Sequence, residues 1–305
     1  MNVNTIKHLL KHPLRIVPML GAKGLLNWMP DKLYLSILFK EALGYWPDFE
    51  NPKTFNEKLN WLKLYDRKPL YTQLVDKYAV REYIAEKIGE QYLIPLVGGP
   101  WNSVDEIDFE ALPQQFVLKS THDSGGVVIC RDKSKLDVEA AKLKLAKHLK
   151  REYFWGNREW PYKNVEPRVI AEKYMQDGKE AVLPVHKIFC FNGKAEIFQT
   201  IQNDKSPKET IDYFDTDWNL LALRQTFPNS AVAPEKPDTL EEMIALAEKL
   251  SAGHPFLRTD FYNIDGKTYF SEITFYTDAG LAYFEPAEWD KSLGNKIKLP
   301  DKADV

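Results

Sequence analysis

The chain has 305 residues, 44% hydrophobic and 28% charged, so it buries a core large enough for two or three subdomains and is too apolar to be disordered. Its formal net charge is −3 with both signs interspersed, which gives no reason to expect a nucleic-acid partner. Cys130 and Cys190 each lie in an apolar strand-like run and read as buried, reduced thiols, and the six histidines show no zinc-ligand spacing, so a reducing cytoplasm is the expected location.

Lys7, Lys11 and Arg15 precede an apolar patch at 16–20, which Pro18 interrupts and Lys23 follows. Without a small-residue cleavage pattern this does not read as a signal peptide, and no stretch reaches transmembrane length. The basic, apolar segment 8–39 has two readings: a packed helical start, or weak contact with a membrane surface. Residues 1–70 read as helical, and Thr54 with Glu57 forms a capping box for a helix carrying Phe55, Leu59 and Leu62 on one face. A second helix is expected over 72–88 with Gly89 as its cap. It would place Lys77 and Arg81 one turn apart, either as a phosphate clamp or as a solvated face.

Strands are expected at 92–97, 115–119 and 126–130, then a helix over 137–153, an aromatic stretch at 153–162 and a strand at 168–172. Asn192-Gly193 marks a hairpin between strands 185–191 and 194–201. A helix capped by Asp238, with Glu241 at its third position, carries Leu240, Ile244, Ala247 and Leu250 as an apolar stripe. Two last strands flank Asp265-Gly266. The hairpins point to an α+β fold with antiparallel sheets, and neither GxGxxG nor GxxxxGK[ST] occurs.

Three stretches carry candidate chemistry. In 116–130, Lys119 ends an apolar strand and the loop after it offers backbone N–H groups and the hydroxyls of Ser120, Thr121 and Ser124, a composition that suits a phosphate cradle or a solvated hairpin loop. In 168–175, a strand ends at Glu172-Lys173 before apolar Tyr174 and Met175, which offers either a slot with polar edges for an adenine or a surface ion pair. In 256–274, Arg258 and Asp260 share one strand face, as do Glu272 and Thr274. A two-residue turn at Asp265-Gly266 would pair 260 with 271; a three-residue loop, 265–267, would pair 260 with 272 and 258 with 274. The second register is expected, because it gathers two carboxylates and a hydroxyl, ligands suited to Mg²⁺ on nucleotide phosphates. Asp215 and Asp217 form a DxD triplet of the kind that binds metal in nucleotide-sugar transferases, a pattern also common in turns. Trp155, Trp160 and Tyr162 are either a sugar-stacking platform or aromatic packing.

In order and spacing these pieces resemble the ATP-grasp superfamily, and most closely its TupA-like branch linked to teichuronopeptide and capsule biosynthesis. The resemblance runs over about 40–290 and rests on Phe55-Asn-Glu-Lys-Leu, Leu74-Val-Asp-Lys-Tyr, Phe116-Val-Leu-Lys, His186-Lys-Ile-Phe-Cys-Phe-Asn-Gly-Lys and Glu272-Ile-Thr. It implies two α+β subdomains gripping ATP behind a helical N-terminal region, divided as 1–70, 71–180 and 181–305. It implies that Lys119 contacts the phosphates under the loop 120–126, which includes Ser124 and Gly125. Lys77 and Arg81 would add phosphate contacts, Arg81 standing where relatives carry lysine. Glu172, Lys173 and the backbone near Met175 would hold adenine, with Lys187 a further nucleotide contact. Asp260 and Glu272 would hold Mg²⁺, with Thr274 where many relatives have asparagine, and Arg258 would neutralise the transferring phosphoryl group. The implied activity is ATP-dependent ligation of a small or sugar-linked carboxylate to an amine through an acyl phosphate, in polysaccharide assembly. A glycosyltransferase using Asp215 and Asp217, and a non-catalytic scaffold of the same fold, are the competing readings.

Overall fold

The computed structural model describes residues 13–178 and 183–302. The basic residues Lys7 and Lys11 lie outside the described residues. Helices α1 (Ile16–Gly21), α2 (Asp31–Leu43), α3 (Phe55–Tyr65), α4 (Leu70–Val75) and α5 (Val80–Lys87) open the chain. Strands β1 (Leu96–Trp101), β2 (Phe116–Ser120), β3 (Val127–Cys130) and β4 (Val169–Lys173) form an antiparallel sheet in the order β1-β4-β2-β3, with α6 (Val138–Leu149) and α7 (Phe154–Asn157) between β3 and β4. A second antiparallel sheet runs β7 (Thr210–Phe214), β6 (Lys194–Gln202), β5 (Val185–Phe191), β8 (Phe256–Ile264), β9 (Lys267–Thr274). Helix α8 (Leu240–Ser251) precedes β8, and α9 (Glu288–Lys296) closes the chain. The α+β class with antiparallel sheets is as expected.

Strand alternation decides what each sheet face does. In the first sheet Phe116, Leu118, Val169 and Ala171 point to one face and pack with Ala141 and Leu145 of α6. Lys119 and Glu172 therefore share the opposite face. In the second sheet, Leu240, Met243, Ala247 and Leu250 of α8 share a buried core with Ile188, Cys190 and Leu257. The other face is apolar at one end, where the Phe55 ring of α3 meets Phe256 edge-on at 5.1 Å and Phe191 at 6.1 Å. Burying each such ring contributes about 2–3 kcal/mol. Beyond the reach of α3 the same face carries Lys187, Arg258 and Asp260.

Packing thus groups Phe55, Leu59, Trp61 and Leu62 of the N-terminal helices with the second sheet in one core, while 107–171 supply another and Leu26, Tyr34, Leu35, Leu38 and Phe49 a third. Helix α3 starts where expected: the Thr54 hydroxyl accepts the Glu57 N–H (3.2 Å) and the Glu57 carboxylate accepts the Thr54 N–H (3.0 Å), closing the capping box.

Three local expectations are corrected. The helix over 72–88 is broken, because Asp76 Oδ1 accepts the N–H groups of Tyr78 (2.8 Å) and Ala79 (3.3 Å), an alternative to helical bonding that short polar side chains offer. Strand β1 begins at Leu96 instead of 92, since 90–92 form a tight 3₁₀ turn and Arg81 Nη2 donates to the Ile94 carbonyl (2.9 Å). Asp238 does not cap α8: Thr239 precedes its first residue, without a side-chain cap bond.

Candidate active site

The site is built where the inner faces of the two sheets approach. On the first sheet, Lys119 Nζ donates to Glu172 Oε2 (2.5 Å), and Arg81 from α5 adds a second cation to Glu172 (3.5 Å). Burial opposes the charge on Lys119, yet Glu172, Tyr262 and Glu272 raise its pKa above the usual lysine value. Two of those three groups come from β8 and β9, so the strand-end lysine lies within electrostatic reach of the other sheet.

On the second sheet, Arg258 grips Asp260 with two bonds, Nε to Oδ1 (2.7 Å) and Nη2 to Oδ2 (2.9 Å), and donates to Glu272 Oε1 (3.1 Å). Lys187, opposite Asp260 on β5, lies 3.6 Å from Asp260 Oδ2. Burial disfavours the Glu272 charge, but Arg258, Lys77 and Lys187 outweigh it and hold the carboxyl down at about 2. The Glu272 side chain is still 42% exposed, against 8% for Arg258. Asp260 is 2% exposed, and Arg258 and Lys187 counter the lift that burial gives its carboxyl.

The register is the expected one, reached by a different route. Asp265 (φ 50°) and Gly266 (φ 71°) make a two-residue turn, and Lys267 pairs with Ile264 inside the ladder. The shift comes from a bulge further along: Phe261 pairs with Phe270 but Asp260 pairs with Glu272, leaving Ser271 extra. Arg258 then stands opposite Thr274. The hydroxyl that accepts from Arg258 Nη1 (3.0 Å) belongs to Thr277, three residues further on. No local pattern marks Thr277; it lies in the turn after β9, directly before Asp278 (φ 47°) and Ala279 (φ 54°).

The broken helix separates Lys77 from Arg81. Lys77 is anchored in the break, its N–H donating to the Thr121 carbonyl (3.1 Å) and its Nζ to the Asp123 carbonyl (2.7 Å). Burial lowers its pKa against the pull of Glu272 and Asp123. Arg81 points instead to Glu172, so both cations still serve the cleft, from different elements. Lys173 does not join Glu172: alternation turns it to the α6 face, opposite Phe116. Met175 is half-buried just past β4.

The loop 120–126 is braced. The buried Asp123 carboxylate takes the Ser120 hydroxyl on one oxygen and His148 Nδ1 of α6 on the other. Arg151 Nη1 donates to the Ser124 carbonyl (3.2 Å), and a Cβ on Gly126 would lie 1.8 Å from Ser120 Oγ. Ser124 and Gly125 (φ 93°) are exposed at the tip. Sequence reading missed Asp123 and His148 as a pair, because they are 25 positions apart and meet only when α6 packs on β2.

The remaining candidates are occupied. Asp215 Oδ1 accepts the N–H groups of Asp217 (3.0 Å) and Asn219 (2.8 Å), which spends its carboxylate on its own turn. Trp155 stacks under the buried Arg158 guanidinium (4.5 Å), and Trp160 is covered by Arg67 (5.1 Å). Tyr162 is part-buried between Tyr153 and the core, not a free platform.

The cleft therefore gathers Lys77, Arg81, Lys119, Lys187 and Arg258 against the carboxylates of Glu172, Asp260 and Glu272. That cluster of cations suits a polyanion, and a cross-strand pair of carboxylates suits Mg²⁺, which takes one or two carboxylates together with phosphate and water. Among the described residues no trio of His, Cys, Asp or Glu is placed to hold a metal by protein ligands alone. Two antiparallel sheets facing across a cleft of this kind define the ATP-grasp fold. The chain matches the TupA-like ATP-grasp family over residues 57–298, most of its length, and belongs to that family.

A search of curated proteins finds no match. Among solved structures, the D-alanine–D-alanine ligase of Bacillus anthracis complexed with ATP is similar at 14% identity and a TM-score of 0.40, covering 67% of this chain and 54% of that one. The D-alanine–D-alanine ligase of Helicobacter pylori is similar at 15% identity and a TM-score of 0.41, covering 80% and 69%. The ATP-grasp ligase PsnB with a phosphomimetic precursor variant, Mg and ADP is similar at 10% identity and a TM-score of 0.41, covering 75% and 59%. The chain spans about half the length of the first of these, 54%.

Proposed function

We propose that this chain is an ATP- and Mg²⁺-dependent carboxylate–amine ligase of the cytoplasm, acting on a sugar-linked carboxylate such as a uronic acid and an amino acid amine in cell-surface polysaccharide assembly. The nucleotide would lie between the 71–180 and 181–305 units. The observation that carries this reading is the convergence of Lys119 and Lys77 from one sheet unit on Glu272, which Arg258 joins to Asp260 on the other.

In this reading the substrate carboxylate oxygen attacks the γ-phosphorus, the bond to the ADP oxygen breaks, and an acyl phosphate forms. Lys119, and Arg258 once it has turned from Asp260, would face the oxygens that gain charge, in a site whose low dielectric makes those contacts strong. The amine nitrogen then attacks the acyl carbon, phosphate leaves with the C–O bond pair, and the nitrogen gives up its proton. The loop 120–126 keeps water from the acyl phosphate. Mg²⁺, held by Asp260 and Glu272 with the Thr274 hydroxyl beside them, would neutralise phosphate charge. For that, Arg258 must release Asp260 and turn to the phosphoryl group.

The test is a thermal-shift titration with Mg-ATP, followed by an ADP-release screen over pairs of uronic acids and amino acids. The reading expects a rise in melting temperature with Mg-ATP and ADP release only when both a carboxylate and an amine are supplied. An unchanged melting temperature at saturating Mg-ATP would overturn it.

A further inference from the structure

We infer that Asn56, Asn60 and Lys63 of α3 are positioning residues for the γ-phosphate end of the cleft, acting through the turn that carries Thr277. The inference rests on the proposed reading of the cleft as an ATP site, because it needs Arg258 to meet the transferred phosphoryl group. The three residues fall at i, i+4 and i+7, so they share one face of α3, and all are fully buried. Phe55, Leu59 and Leu62 already give the helix an apolar face on the core. A second, polar face is costly to bury unless every group on it is bonded.

Each of the three holds backbone of the segment after β9. Asn56 Nδ2 donates to the Ala282 carbonyl (2.8 Å), and its Oδ1 accepts the Ala282 N–H (3.0 Å). Asn60 Nδ2 donates to the Gly280 carbonyl (2.7 Å). Lys63 Nζ donates to the Ala279 carbonyl (2.6 Å) and gives its other two protons to the Asn157 carbonyl (3.1 Å) and Asn60 Oδ1 (3.2 Å). A Cβ on Gly280 would lie 2.8 Å from Asn60 Nδ2 and 3.0 Å from Leu59 Cβ, so helix and turn are in direct contact.

The segment held in this way has φ of 47°, 54° and 61° at Asp278, Ala279 and Gly280. Consecutive left-handed residues, two of them bearing a Cβ, persist only where surrounding groups over-determine them. Thr277 lies within the turn: the Ala279 N–H donates to the Tyr276 carbonyl (2.9 Å) across it, and the Thr277 hydroxyl accepts from Arg258 Nη1 (3.0 Å). Arg258 gives Nε and Nη2 to the carboxylates of Asp260 and Glu272. Its Nη1 can therefore stay on Thr277 as a pivot while the other two nitrogens turn to a phosphoryl oxygen. The face of α3 sets where that pivot stands.

The test is calorimetric titration of the full chain with Mg-ATP and with Mg-ADP, in the parent, in Asn60→Ala and in Lys63→Met/Glu159→Gln. The double variant removes the buried ammonium together with Glu159, the carboxylate within its electrostatic reach. Because the pivot serves only the γ-phosphate, each variant should lower the preference for ATP over ADP by about tenfold and leave ADP affinity within about twofold of the parent. Leu112→Ala, a cavity in the core of the first sheet, controls for destabilisation alone and should keep the parent's preference. The inference is overturned if the variants keep that preference, if ADP affinity falls as far as ATP affinity, or if Leu112→Ala lowers the preference as they do. A parent that binds ATP and ADP alike would overturn this inference alone, whereas a parent that binds neither would overturn the ATP reading and this inference with it.

Discussion

Glu272 faces Asp260 across the β8–β9 ladder because Ser271 is bulged out of register just before it. One guanidinium, that of Arg258, then bridges both carboxylates. The two acids differ in burial, 2% against 42% side-chain exposure, so their loss should differ in kind. Asp260→Asn leaves Arg258 without a charged bidentate partner in a buried site and should cost about 3 kcal/mol. Glu272→Gln, facing solvent, should cost under about 1 kcal/mol. Both should abolish the Mg-ATP thermal shift. Urea unfolding beside the thermal-shift titration checks this, and equal destabilisation by the two variants would contradict the assignment.

Alternation gives a paired test on the first sheet. Lys119 is on the cleft face and Lys173 on the α6 face. Lys119→Met should remove the Mg-ATP shift and lower ADP release by about 100-fold or more. Lys173→Met should leave both near the parent value. A larger effect at Lys173 would place the nucleotide on the wrong face of β4.

The Asp123–His148 brace should act on nucleotide binding before it acts on chemistry. Asp123→Ala leaves the Ser120 hydroxyl and the His148 imidazole without their shared acceptor, at a cost of about 1–3 kcal/mol. His148→Ala is the milder change, since the Ser120 bond survives. In steady-state kinetics both should raise KM for ATP more than they lower kcat. A fall in kcat alone would show that the loop geometry does not depend on this pair.

His186 supplies a pH dependence separate from the cleft, because it lies on the α8 face of β5. Burial lowers its pKa from 6.5 to about 4. Between these values the unfolded chain binds a proton that the folded chain does not. Stability is therefore fully present above pH 6.5 and falls as pH drops toward 4, by up to about 3 kcal/mol. His254, lowered to about 4 mainly by burial, works in the same direction. Urea midpoints measured across pH 4–7 should show a shallower fall in His186→Gln than in the parent. An identical slope in the two would mean that His186 is not held neutral.

Much of this molecule is legible from residue order, because the signals are local. Thr54 and Glu57 are three residues apart and close a capping box wherever the helix forms. Asn192-Gly193 and Asp265-Gly266 adopt positive φ at both positions and so specify hairpins by turn chemistry alone. The period of two puts Arg258 with Asp260 on one face before any packing is known. The order of the short motifs carried the family, which the match over 57–298 bears out.

What tertiary packing decided is which of these side chains meet. Asp76 bonds its own backbone and Arg168 at 2.6 Å, and the helix expected through it breaks, sending Lys77 and Arg81 to different partners. Asp123 and His148 meet because α6 lies on β2, and Thr277 reaches Arg258 because the chain turns back after β9. The Ser271 bulge, not the turn, sets the carboxylates opposite each other. Local bonding energies act over a few residues and can be read along the chain. A bulge or a buried charge cluster persists only where contacts from distant segments overcompensate its cost, so it is specified by the assembled fold.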